Sequence, residues 1–135
     1  MKAISLWQPW ASAIPLGLKK IETRSWDTRL RGTIAIHAAK RWTEDERSWA
    51  LHFSRLYGRP ELADPPRGAI IATARLVATF PTEALTGDIT EMERAFGNYG
   101  ADRFGWMLED VVPLATPIPY RGMQGLFEIP ASVIS

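Results

Sequence analysis

The segment GAIIATARLVATF, residues 68–80, constrains this chain more than any other. It is the longest run of strand-forming residues and reads as a central strand, which needs partners on both sides. The surrounding sequence offers them. KAISL (2–6) alternates apolar and polar residues, GTIAIHA (32–38) alternates around Ile34 and Ile36, and Lys20 to Trp26 reads as a further strand. FGWMLEDVVPL (104–114) and GLFEI (125–129) read as the last strands, with a turn at Pro117 and Pro119 between them. A short helix of about two turns starts near Pro9 and stops at Pro15 and Gly17. Thr43 with Glu46 and Thr90 with Glu93 are capping-box pairs, predicting helices to about Tyr57 and Phe96. Trp10, Trp49 and Phe53 fall on apolar stripes and read as core. The expectation is one α+β domain spanning 1–135, with five or six short strands and two or three helices.

Composition narrows the function classes. None of the 135 residues is cysteine, which removes disulfides, thiolate nucleophiles and thiolate zinc sites together. No apolar run reaches the roughly 18 residues of a membrane span. The N-terminal MKAISLWQPWASAIPLG lacks the layout of a signal peptide, so the expectation is a soluble cytoplasmic domain with no membrane partner. Two histidines, His37 and His52, are too few to suggest a metal centre, while the plentiful carboxylates leave a hard cation such as magnesium open, though no Asp/Glu cluster has the spacing of a dedicated site. No phosphate-cradling glycine loop and no Gly-x-Ser-x-Gly elbow occur, so no cofactor is indicated.

The net charge of +1 conceals an asymmetry: residues 1–41 carry +6 and the remainder −5. Five of the six tryptophans (7, 10, 26, 42 and 49) lie in the same N-terminal region. Trp interleaved with Arg is how single-stranded bases are stacked while their phosphates are held. The same residues also suit a solvated basic face over an ordinary core.

The most distinctive segment is Gly17-Leu18-Lys19-Lys20-Ile21-Glu22-Thr23-Arg24-Ser25-Trp26. In a regular strand Glu22, Arg24 and Trp26 share a face, and Lys19 joins them only through a turn, which Gly17 permits. Such a trio offers a tunable base, an acceptor and an anion clamp, or else an ordinary charge network. The segment resembles the Gly-x-Lys-x-x-Glu-x-Arg signature of the ASCH (activating signal cointegrator homology) family. The likeness extends along nearly the whole chain, through KAISLWQPWASAI, RGTIAIHAAK, PRGAIIATARL, FGWMLE and PIPYRGMQGLF.

That resemblance implies a small β-barrel like those of pseudouridine synthase and archaeosine transglycosylase (PUA) domains. It also implies a cleft associated with RNA or modified nucleobases. Some members of the family are nucleic-acid-binding modules and one is associated with ribonuclease activity. A shorter branch hydrolyses N4-acetylcytidine with a Lys, a Thr and a Glu. The Lys of that branch maps to Lys19, its Thr falls at Glu22, and its Glu lies among Glu83, Glu91 and Glu93. The leading expectation is therefore a domain that binds RNA or a nucleobase-containing ligand in a basic cleft around Lys19, Glu22 and Arg24. The alternative is a small hydrolase, an N4-acylcytidine amidohydrolase or a ribonuclease, with Lys19 and Glu22 as catalytic candidates. Trp26 and Trp7 are stacking candidates, and Gln8 reads a base edge or caps a helix. His37 is a core histidine or a ligand contact. Tyr120, Arg121 and Gln124 sit in a glycine-flanked loop suited to base recognition or to a surface turn.

Overall fold

The computed structural model describes residues 1–134. In chain order these form β1 (Lys2–Leu6), α1 (Trp10–Ala13), β2 (Ile21–Arg24), β3 (Gly32–Ala38), α2 (Glu44–Leu56), β4 (Ala69–Pro81), α3 (Glu91–Ala95), β5 (Phe104–Pro119) and β6 (Phe127–Glu128). The strands make one six-stranded sheet in the order β2-β5-β4-β3-β1-β6. The run around 68–80 is central as expected, pairing antiparallel with both β3 and β5. The described residues form an α+β fold with six strands and three α-helices. Its sheet is not closed: β2 and β6 remain edges, and no ladder joins them among the described residues.

Alternation along the strands sends side chains to two faces. Ile4, Ile34, Ile36, Leu76 and Trp106 fill the main core, and Ala3, Ala35, Ile70, Phe127 and Ile129 fill a smaller one on the opposite face. A third cluster, with Leu18, Phe53, Leu62 and Phe96, anchors α2 and the segment after α3. The expected turn at Pro117 and Pro119 is instead part of β5, which runs unbroken to Pro119. The physical reason lies in the pairing. β2 covers β5 only from Phe104 to Met107, so the far part of β5 is an edge where proline sacrifices no ladder bond. α1 is also shorter than expected, a single turn.

Both capping pairs open helices, but differently. The Glu46 carboxylate returns to the N–H of Thr43 at 2.7 Å, as the pattern predicts. Glu93 does not close its box. Thr90 caps the Glu93 N–H at 3.1 Å, but the Glu93 carboxylate turns away and accepts from Lys20 N–H at 3.0 Å and Ile21 N–H at 2.7 Å. Glu93 thus ties α3 to the first residues of β2. Glu93→Ala leaves two backbone donors without that acceptor, at about 1–3 kcal/mol each if both stay buried. We expect urea denaturation to show a loss of about 2–4 kcal/mol, with Glu91→Ala, an exposed neighbour, changing stability by less than about 0.5 kcal/mol.

Candidate functional site

β1 pairs with β6 only through Lys2 and Ala3, so beyond Ala3 the backbone of β1 has no strand on that side. A cleft of about 1640 Å³ opens there. It is lined by Ser5 to Trp7, Glu22 to Trp26, His37, Lys40 and the 119–125 loop, with Trp49 and Asn98 at its sides.

Gly17 adopts φ +79°, a left-handed conformation that favours glycine, and the chain turns there. Leu18 and Lys19 N–H groups both donate to the Ala13 carbonyl, closing the turn. The turn places Lys19 beneath Glu22 with only 1% of its surface exposed. Its ammonium donates to the carbonyls of Ile21 and Phe96, each at 2.7 Å, and lies 3.4 Å from Glu22 Oε1. Two of its protons are hydrogen-bonded to carbonyls and the contact with Glu22 is ionic, and at 1% exposure the ammonium has no surface to offer a ligand. Glu22 Oε1 also accepts from Thr23 N–H at 3.1 Å, and Oε2 lies 3.0 Å from Arg24 Nε. That last contact is ionic, since Arg24 Nε has no aligned hydrogen-bond acceptor. Arg24 Nη2 donates to the Ser5 carbonyl at 2.8 Å, bridging β2 to the unpaired part of β1.

Ser5 continues the network. Its hydroxyl lies 2.9 Å from His37 Nδ1, and His37 Nε2 lies 2.7 Å from the Tyr120 carbonyl. A carbonyl only accepts, so Nε2 carries the proton and Nδ1 accepts from Ser5. The backbone of Gly122 lies against this ring: a Cβ there would come within 2.6 Å of His37 Cε1. His37 therefore fastens the 119–125 loop to the sheet.

The remaining expected residues divide sharply. Trp7 is 52% exposed and lines the cleft, with the Arg41 guanidinium 4.2 Å from its ring centroid. Trp26 also lines it, half-buried and edge-on to Trp106 at 4.8 Å. Gln124 lies exposed on the loop. Gln8 lies outside the lining and is fully buried. Its amide donates to Ser12 Oγ and to the Pro66 carbonyl, both at 2.7 Å, and its oxygen accepts from Ser12 N–H, so it staples α1 to the 59–68 loop. Of the three acidic candidates, Glu83 and Glu91 are exposed and only Glu93 is buried against β2. Trp49, expected in the core, is instead 48% exposed and lines the cleft. Sequence reasoning missed Lys40 and Arg103 as cleft residues. Lys40 is legible only in hindsight, because its stem crosses Gly68, where a Cβ would meet Lys40 Cγ at 2.8 Å. Among the described residues no cluster of His, Asp or Glu is arranged to hold a metal, and no helix is long and apolar enough to cross a membrane.

Two outcomes follow from this geometry. Lys19→Met leaves the Glu22 carboxylate buried without its lower partner, which costs about 3 kcal/mol in comparable buried pairs; urea denaturation should register that loss. Burial lowers the pKa of His37 from its ordinary 6.5, against the opposing effect of the Tyr120 hydrogen bond. The unfolded chain therefore binds this proton first, and stability falls as pH drops through about 6.5 toward the lower folded value. The urea midpoint should decline between about pH 7.5 and 5.5. That decline should be smaller in His37→Gln; an equal decline in the variant would place the effect elsewhere.

The comparisons agree with this architecture. The ASCH domain family matches residues 4–116. Among solved structures, the crystal structure of ASCH from Zymomonas mobilis superposes with a TM-score of 0.59 at 20% identity, covering 98% of this chain and 89% of that one. A tyrosine-to-phenylalanine mutant of the same Zymomonas mobilis protein superposes with a TM-score of 0.59 at 19% identity, covering 98% of this chain and 91% of that one. At such identities the likeness concerns the fold. No curated protein sequence matches significantly. A family match over most of the chain, on a fold shared with solved ASCH proteins, makes this chain a member of the ASCH domain family.

Proposed function

We propose that this protein is a binding domain whose cleft takes a nucleobase-containing anion, single-stranded RNA or a nucleotide from it. One observation carries the reading. The cleft is lined by four basic side chains, Arg24, Lys40, Arg103 and Arg121, against a single carboxylate, Glu22. Arg24 is committed to Glu22 and Ser5, and Arg103 donates to the carbonyls of Asn98 and Thr23. Lys40 and Arg121 have no hydrogen-bond or ion-pair partner among the described residues, so a phosphate meets them without displacing an internal contact.

Other groups complete the binding set. Arg24 and Glu22 present a donor and an acceptor side by side, which suits a base edge. One face of Trp7 is covered by Arg41, and the exposed remainder suits stacking. Gln124 on the loop supplies an amide, Trp26 forms a wall, and His37 holds the loop in place. Lys19 is a positioning residue, since it touches Glu22 and backbone carbonyls rather than the cleft. The hydrolase reading asks Lys19 and Glu22 to exchange protons with substrate. Lys19 is buried with its protons engaged, so the geometry supports binding better.

The test is fluorescence anisotropy with a fluorescein-labelled single-stranded RNA octamer of mixed sequence, across a salt series. Wild type should bind with affinity falling as salt rises. Lys40→Ala and Arg121→Ala should each weaken binding and reduce the log–log salt slope by about 0.7, the single-strand value for one phosphate contact. Glu22→Gln should weaken binding with the slope unchanged. Absence of binding at low salt overturns the reading. Release of cleaved or deacylated product from RNA or N4-acetylcytidine, lost in Glu22→Gln, would establish the hydrolase instead.

A further inference from the structure

Resting on that reading, we infer that the cleft contains a second base-stacking subsite on Trp49, so that its ligand is an oligonucleotide of at least two nucleotides rather than a free nucleoside. Trp49 projects from α2 into the same cleft as Trp7, and both rings are about half exposed. An amphipathic helix ordinarily turns a polar residue to solvent. Here α2 presents a large aromatic ring whose back is already supported. Phe53 stacks beneath Trp49 with centroids 5.5 Å apart and planes at 25°. Phe53 is itself 2% exposed and held by Phe96 at 4.4 Å. His52 also meets the indole, edge-on at 5.8 Å, so the ring is held by two neighbours with about half of its surface still exposed, as a stacking platform requires.

Trp7 is built the same way with a different brace, the Arg41 guanidinium. Lys40 lies in the connection between β3 and α2, and its stem rests across Gly68. It supplies an unpaired cation on the chain segment that joins the strand beside Trp7 to the helix bearing Trp49. Two platforms with a free ammonium match the base–phosphate–base repeat of a single strand. The cleft, at about 1640 Å³, also exceeds the roughly 300–1,000 Å³ typical of small-molecule pockets.

The test uses Trp49→Leu, which keeps an apolar cover on Phe53, and Trp49→Phe, which restores a ring. Binding is read with the labelled RNA octamer, and by competition with unlabelled mixed dinucleotides and a mixture of the four nucleoside monophosphates. Trp49→Leu should weaken octamer and dinucleotide binding about tenfold, within the range for losing one stacked base. It should leave monophosphate competition unchanged, and Trp49→Phe should recover most of the loss. Octamer and dinucleotide binding unchanged by Trp49→Leu overturns this inference and leaves the binding reading standing. So does an equal loss for monophosphates, which would make Trp49 part of the first subsite. Failure of wild type to bind RNA overturns both.

Discussion

A buried ammonium must find an acceptor for each of its protons, and the way Lys19 meets that demand organises the molecule around it. Its hydrogen-bond acceptors are backbone carbonyls, Ile21 on β2 and Phe96 just after α3, and its ionic partner is the Glu22 carboxylate. From the other direction the Glu93 carboxylate collects the N–H groups of Lys20 and Ile21. Edge strand β2 is only four residues long, and its pairing with β5 satisfies one side alone. Two oppositely charged side chains therefore fix its N-terminal end, both carried by segments that would otherwise have little hold on the sheet. Removing either charge leaves the other groups desolvated, so the arrangement is maintained as a unit.

This accounts for how the cleft divides its cations. Arg24 and Arg103 hold backbone, as Lys19 does beneath the cleft, and their charge is spent on ordering the walls. Lys40 and Arg121 sit on the connection after β3 and on the late loop, and the charge of neither has a hydrogen-bond or ion-pair partner among the described residues. Cations that hold structure and cations without an internal partner are different residues here. In this chain the segment from Gly17 to Arg24 is accordingly more architectural than its composition suggests. Its lysine supports its glutamate, its arginine bridges to Ser5, and Ser5 passes the connection to His37 and the loop over the cleft.

Much of this was legible in the sequence for identifiable reasons. β3 was readable to the residue because Ile34 and Ile36 alternate with smaller residues, and α2 because Thr43 and Glu46 form a genuine box. The convergence of Lys19 with Glu22 and Arg24 was readable because Gly17 allowed the one turn that makes it possible. What escaped depended on partners distant in sequence. Thr90 and Glu93 have the same spacing as Thr43 and Glu46, yet Glu93 serves backbone donors 72 and 73 residues away. Pro117 and Pro119 look like a turn, and whether proline breaks a strand depends on whether a neighbour needs its missing N–H. Gln8 looks like a base reader until Pro66 and Ser12 consume its amide.

Tryptophan shows the limit most clearly. Trp7, Trp49 and Trp106 carry the same indole, yet the first two are about half exposed and the third is completely buried. Trp106 lies on β5 between both of its ladder partners, Glu22 and Thr79, and packs within the main core. Trp7 is braced by a guanidinium, and Trp49 by the Phe53 ring beneath it and the His52 ring edge-on. A stripe of apolar residues along a helix predicts that a ring is supported on one side. Whether anything covers its second side depends on the cleft beside β1, which both rings line. The expected barrel does not close, and the edge of β1 left open beyond Ala3 is also where core-forming residue types become an accessible aromatic surface.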